Sequence, residues 1–199
     1  MIKTVLASNS PRRREIFGKI APDFTTVPSD ADETLPDGID PREAVKLLAR
    51  RKAESVYGKL KDTMSEDDDL IVLGADTVVA YEGRIFGKPK DEADARRILS
   101  FLSGKTHSVF TGVCFVDRLG ETVSAEESRV TFELLDEAGI GDYIAGGSPM
   151  DKAGAYGIQD GYPVKEYEGS YTNIVGLPAE LTEEIYAART AKLREGKKR

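Results

Sequence analysis

The chain has one cysteine and one histidine in 199 residues. A lone Cys114 excludes an intrachain disulfide and a cysteine-rich zinc site. It lies in an apolar, strand-like run and reads as a small buried hydrophobe, not a reactive thiol. A lone His107 all but excludes a histidine-ligated zinc site, and any Ser-His-Asp triad must run through it. It stands where a strand should begin, which favours a structural role. No apolar stretch approaches the ~20 residues needed to cross a bilayer. The segment Met1–Ala7 is too short for the apolar core of a signal peptide. A cytoplasmic address with no membrane partner is therefore expected. The phosphate-loop spacing Gly-x4-Gly-Lys-Ser/Thr is missing, as are internal repeats and low-complexity tracts. The 28 basic residues are outnumbered by 35 acidic ones, for a net charge of −7. That balance argues against a nucleic-acid partner. The basic run from Arg189 to Arg199 is expected to end a helix and fray into solvent.

The remaining chemistry belongs to carboxylates, lysines, arginines and hydroxyls. That repertoire points to phosphate substrates and to oxygen-liganded Mg²⁺ or Mn²⁺. The length suffices for one domain, residues 1–199, with a core that needs no staple. Hydrophobic residues make up 40% of the chain and charged residues 32%, the balance of an ordinary globular protein.

Patterning predicts a mixed α/β fold. Thr4–Ala7 reads as a buried strand, followed by a helix with Ser10 as cap and Pro11 at its first position. That helix should turn Ile16 and Ile20 inward. Phe24–Val27 is a second strand, and 30–38 is a polar loop. A helix opens at Asp40-Pro41, and 62–69 loops out. Leu70–Leu73 is an apolar strand that should end at Gly74, with Asp76 just beyond it. Val78–Tyr81 and Ile85–Gly87 form a hairpin around Glu82-Gly83-Arg84. Asp91–Leu102 is an amphipathic helix stopped by Gly104. Two strands, 109–116 and 122–134, suit antiparallel pairing in a second lobe. Glu137–Ala145 is a short helix, residues 148–176 are irregular, and Pro178–Lys192 is a final helix.

Five segments carry candidate chemistry. In Ser8-Asn9-Ser10-Pro11-Arg12-Arg13 a strand becomes a helix, whose free N–H groups, hydroxyls and arginines suit an anion; a capped helix with a solvated basic face is the other reading. Gly74-Ala75-Asp76-Thr77 delivers a carboxylate at a strand end, where ligands of open α/β sheets sit; a turn aspartate or helix cap is the plain alternative. Gly87-Lys88-Pro89 holds a lysine on a rigid turn as a point charge for phosphate. The stretch from Gly146 to Gln159 surrounds Asp151-Lys152 with small residues that allow close approach to a ligand. Its Gln159 amide can read a base edge. The polar segment 169–178 feeds the last helix.

These segments, in this order from Leu6 to Pro178, resemble the Maf family of nucleoside triphosphate pyrophosphatases. The carriers are Ala7-Ser8-Asn9-Ser10-Pro11-Arg12-Arg13, Gly74-Ala75-Asp76-Thr77-Val78, Lys88-Pro89, the run from Asp151 to Gln159, and Val175-Gly176-Leu177-Pro178. The resemblance implies an elongated Maf/ITPase-like fold, two lobes of mixed sheet and flanking helices around a central cleft. It implies hydrolysis between the α- and β-phosphates, a divalent metal and a homodimer. The proton acceptor falls on Asp76. Arg12, Thr77 and Gln159 match the branch acting on dTTP and UTP. Glu33, Lys52, Lys88, Asp151 and Lys152 match the remaining polar pocket.

On this reading Ser8, Arg12, Arg13, Lys52 and Lys88 contact the triphosphate, and the cations neutralise it. Glu33 and Asp76 hold the metal, and Asp76 deprotonates the attacking water. A carboxylate is a weak base at neutral pH, so the metal must share that work. Gln159 can pair with O4 and N3–H of uracil or thymine. Two alternatives stand: a nucleotide-binding regulator of septum formation that needs no turnover, and a pyrophosphatase for a modified nucleotide.

Overall fold

The structure, a computed structural model, describes residues 1–65 and 68–196. Strand β1 (Ile2–Leu6) runs into helix α1 (Pro11–Ile20), and short strand β2 (Phe24–Thr26) follows. Helix α2 (Pro41–Leu60) precedes the long strand β3 (Asp69–Tyr81), the short β4 (Arg84–Phe86) and helix α3 (Glu92–Leu102). Long strands β5 (Thr106–Asp117) and β6 (Gly120–Phe132) lead to helix α4 (Glu137–Ala145). Three single 3₁₀ turns (Ser148–Asp151, Ala153–Ala155 and Ile158–Asp160), strand β7 (Val164–Glu168) and helices α5 (Tyr171–Val175) and α6 (Ala179–Gly196) complete the chain.

The expected helix starts form as written. Ser10 accepts the Arg13 N–H, and Asp40 accepts those of Arg42 and Glu43, each ahead of a proline at the first turn. The β3–β4 turn places Glu82 and Gly83 at φ 49° and 73°, the paired positive values of a tight hairpin. Seven strands make one mixed sheet in the order β2-β1-β3-β5-β6-β7, with β4 on β3. The pairs of β1 with β2 and β3 are parallel; all others are antiparallel.

Side-chain alternation along β3 divides the core. Leu70 and Val72 pack with Ala49, Ala53 and Val56 of α2 on one face. Ile71, Leu73 and Ala75 pack with Phe17, Leu177 and Leu193 on the other. A third cluster, including Val79, Leu99, Val109, Phe132 and Tyr156, covers the far half of the sheet. His107 is buried there, its Nε2 2.9 Å from Tyr156 Oη, and Cys114 is fully buried.

Four expectations need correction. First, β3 does not end at Gly74 but continues to Tyr81. The glycine marks a close helix crossing instead: a Cβ there would lie 2.2 Å from Ala49 O and 2.6 Å from Ala53 N of α2. Gly112, the β5 partner of Asp76, faces the same helix, and a Cβ there would lie 2.3 Å from Val45 O. Second, 148–176 is not simply irregular: Val164–Glu168 is a strand, polar and largely exposed because it forms the sheet edge, and 171–175 is a short helix. Third, Arg189 does not fray into solvent. It is buried, donating to Asp117 Oδ2 at 2.7 Å and Gly120 O at 2.7 Å. Helix α6 runs to Gly196, and the final part of the expected fraying tail, 197–199, lies outside the described residues. Fourth, the expected 62–69 loop contains a 3₁₀ turn, Lys61–Thr63, and Asp69 already belongs to β3; residues 66–67 lie outside the description.

Candidate active site

The site follows from an interruption in the sheet. One side of β3 pairs with β5 from Val72 to Ala80. The other side pairs with β1 from Asp69 to Leu73 and with β4 only from Val79 to Tyr81. Among the described residues, 74–78 therefore have no strand partner on that side. Arg13 of α1 fills part of the gap, donating through Nη1 to Ala75 O at 2.8 Å. The chain leaves β1 at the same place, where Ala7 N donates to Leu73 O at 2.7 Å.

Asp76 and Thr77 sit in this gap and point to opposite faces. Asp76 faces α2, where Lys52 Nζ lies 2.6 Å from its Oδ1. Glycines at 74 and 112 let α2 settle low enough for that contact. Lys52 Nζ also lies 2.9 Å from Glu33 Oε1. The loop bearing Glu33 is bound to α2: Arg51 donates to the carbonyls of Asp32 and Thr34 at 3.1 and 2.7 Å. Asp32 Oδ1 closes a local turn on Thr34 N at 2.9 Å.

Thr77 faces α1. Its hydroxyl accepts from Arg13 Nη2 at 3.1 Å, and Arg13 Nε donates to Gly176 O at 2.8 Å. Burial pulls the Arg13 pKa below its ordinary value, against the opposing pull of Asp76. Arg12, one residue earlier, reaches the turn at 151: Nη1 lies 2.8 Å from Asp151 Oδ2. Lys152 Nζ binds Asp151 Oδ1 at 2.8 Å and Ser148 O at 2.5 Å. Burial works to raise the Asp151 carboxyl, but hydrogen bonds from Lys152 and Arg12 outweigh it and hold it below the usual range.

A cavity of about 390 Å³ opens between these elements. Ser8, Arg12, Arg13, Glu33, Lys52, Thr77, Lys88, Asp151, Lys152 and Gln159 all line it. Asp76 does not: it is 8% exposed and meets the cavity through Lys52. Five cationic side chains and two carboxylates on the wall make this a local reversal of the chain's net charge of −7. Val79, Val109, Tyr156 and Ile174 give the cavity an apolar side that sequence reasoning missed. From sequence none of the four side chains had a site role, and cross-strand neighbours Val79 and Val109 meet only through register. A second hollow, about 450 Å³, is lined by Ile2, Thr4, Ile20, Ala21, Tyr186 and Thr190 and holds none of the candidates.

Among the described residues no group of three or more His, Cys, Asp or Glu side chains is arranged to hold a metal. Glu33 and Asp76 are the available pair, with one oxygen of each converging on the Lys52 ammonium. Two carboxylates complemented by phosphate oxygens and water suit Mg²⁺, which rarely takes an all-protein cage.

Comparison with known proteins places this geometry in context. A family model described as Maf-like protein matches residues 3–188. A dTTP/UTP pyrophosphatase from Agathobacter rectalis is 46% identical, covering 93% of this chain and 97% of that protein. One from Thermococcus kodakarensis is 48% identical, covering 89% of this chain and 92% of its own. A solved structure of the Staphylococcus aureus Ham1 protein superposes with a TM-score of 0.53 at 16% identity, covering 94% of this chain and 99% of that one, a likeness of fold alone.

Proposed function

The chain belongs to the Maf family, and from that premise we propose that it hydrolyses dTTP and UTP to the monophosphate and pyrophosphate. The observation that carries this reading is the position of Asp76. It is fixed 2.6 Å from Lys52 in the unpartnered stretch of β3, beside a cavity lined by five cations. Relatives about 45% identical over most of the chain carry the dTTP/UTP pyrophosphatase name.

Asp76 orients and deprotonates the water that attacks the α-phosphorus. Lys52 orients that carboxylate through their 2.6 Å contact. Arg12, Lys88 and Lys152 meet the charge that grows on the departing pyrophosphate, and Arg13 supports the cavity floor. Glu33 and Asp76 are the groups that hold a divalent ion. When bound, such an ion neutralises phosphate charge and acidifies water. Ser8, buried and accepting the Ser10 N–H at 3.1 Å, shapes the strand-to-helix corner against the phosphates. Arg12, Thr77 and Gln159 set base choice, with the exposed Gln159 amide matching the donor and acceptor edge of uracil or thymine. One domain with two lobes about the cavity, a homodimer and a cytoplasmic address complete the reading.

The test is a panel of nucleoside triphosphates with Mg²⁺, scored separately for pyrophosphate and orthophosphate. Pyrophosphate release fastest from dTTP and UTP supports the reading, with that preference lost in Gln159→Ala. Orthophosphate as the product, or equal rates for purines and pyrimidines, contradicts it. No helix among the described residues is long and apolar enough to cross a membrane.

A further inference from the structure

Arg13 is held by a chain of hydroxyls whose far end, Thr111 and Asn173, does not itself line the cavity. Thr77 Oγ1 accepts from Arg13 Nη2 at 3.1 Å and lies 2.9 Å from Thr111 Oγ1. Thr111 Oγ1 in turn donates to the backbone carbonyl of Asn173 at 2.9 Å. The two ends fix the polarity. A guanidinium only donates and a carbonyl only accepts, and each hydroxyl carries one proton. Thr111 spends its proton on Asn173, so Thr77 must give its own to Thr111. The competing acceptor for Thr77, Gly176 O, is farther away at 3.5 Å.

The far end is anchored. Thr111 and Asn173 are both fully buried, so water cannot replace either partner. Asn173 Nδ2 donates to Val109 O at 3.1 Å and to Ser128 Oγ at 2.9 Å. Ser128 Oγ donates to Ser170 O at 3.1 Å. Helix α5 is thereby bolted to β5 and β6. The residue after it, Gly176, supplies the carbonyl that takes Arg13 Nε at 2.8 Å. Two of the three contacts that orient Arg13 therefore trace back to Thr111 and Asn173.

We propose that Thr111 and Asn173 are positioning residues that set the Arg13 guanidinium and the Thr77 hydroxyl at the cavity floor. This rests on the nucleotide-hydrolysing reading for its kinetic consequence, but not for its structural one. The buried polar chain also accounts for the Ser-x-x-Asn segment at 170–173, a feature to which substrate contact gives no role.

The experiment compares Thr111→Val, which keeps the shape and removes the hydroxyl, with Thr111→Ala and Thr111→Ser. Two readouts are taken: solvent exchange of the Arg13 Nε–H by NMR, and KM against kcat for dTTP. The expected result is that both hydroxyl-free variants exchange Arg13 Nε–H about tenfold faster and raise KM roughly tenfold, the scale of one lost buried hydrogen bond between neutral groups. Thr111→Ser restores both. Unchanged Arg13 exchange and unchanged KM in a folded hydroxyl-free variant overturn the proposal, as does equal damage from Thr111→Ser. If the wild-type protein turns over no nucleoside triphosphate, the functional reading fails while the exchange measurement still decides the positioning role.

Discussion

Lys52 and Asp76 meet at 2.6 Å across a helix–strand crossing, and both side chains are nearly buried, 13% and 11% exposed. Mutation separates the structural role of an ion pair so placed from the chemical role proposed for it. Replacing Lys52 by Met leaves a buried carboxylate uncompensated and should cost about 3 kcal/mol of stability. The double variant Lys52→Met, Asp76→Asn should regain most of that loss. It should not regain turnover. Asp76→Asn alone should keep the fold, by circular dichroism and urea unfolding, and lose roughly a thousandfold in kcat. Near-normal turnover in folded Asp76→Asn removes Asp76 from the chemistry.

Gly74 sets the height of α2 above the sheet. A methyl group at this position runs into the backbone of Ala49 and Ala53 at 2.2 and 2.6 Å, and backbone cannot step aside as a flexible side chain can. Gly74→Ala should therefore destabilise by about 3 kcal/mol or more, beyond ordinary overpacking. It should also weaken activity by lifting Lys52 from Asp76. Gly58, on the same helix with open space around it, is the control: Gly58→Ala should be neutral or stabilising by up to about 1 kcal/mol. Equal Tm values for the two variants would show that the crossing is not tight.

Burial holds the His107 pKa down to about 4 from an ordinary value of 6.5. Between those values the unfolded chain binds a proton that the folded chain refuses. Stability from this group is therefore complete above about pH 6.5 and falls as pH drops toward about 4, by at most about 1.4 kcal/mol per pH unit. Urea unfolding of the wild type and of His107→Gln across that range should show a steeper acid loss in the wild type. Parallel profiles would mean that His107 titrates alike in both states.

The sequence was most legible where chemistry is local. Ser10-Pro11 and Asp40-Pro41 announce their helices because cap and proline act within one turn, and Glu82-Gly83 announces its hairpin for the same reason. Glycine was ambiguous. At Gly74 the reason for glycine is a helix backbone from 25 residues earlier in the chain, so a local reading took it for a strand end. Strand β7 was missed because an edge strand with both faces wet has no apolar alternation to read. Arg189 was read as solvated because its partner Asp117 is remote in sequence. The cavity residues Ser8 and Arg12, and Asp76 behind Lys52, were named on motif and resemblance. The apolar wall of Val79, Val109 and Ile174 was not, since nothing in an apolar residue's spacing separates core from cavity lining. The Thr111–Asn173 chain was equally hidden, being made by the Thr77–Thr111 register and by the packing of α5 on the sheet.

The measurement that bears most directly on the central claim is hydrolysis of dTTP in heavy-oxygen water, with both products analysed by mass spectrometry. On the proposed reading, in which Asp76 activates the water, attack on the innermost phosphorus puts one heavy oxygen into the monophosphate and none into pyrophosphate. Heavy oxygen in the pyrophosphate, or release of orthophosphate in its place, would mean that a different phosphorus is attacked and that the site has been assigned the wrong reaction.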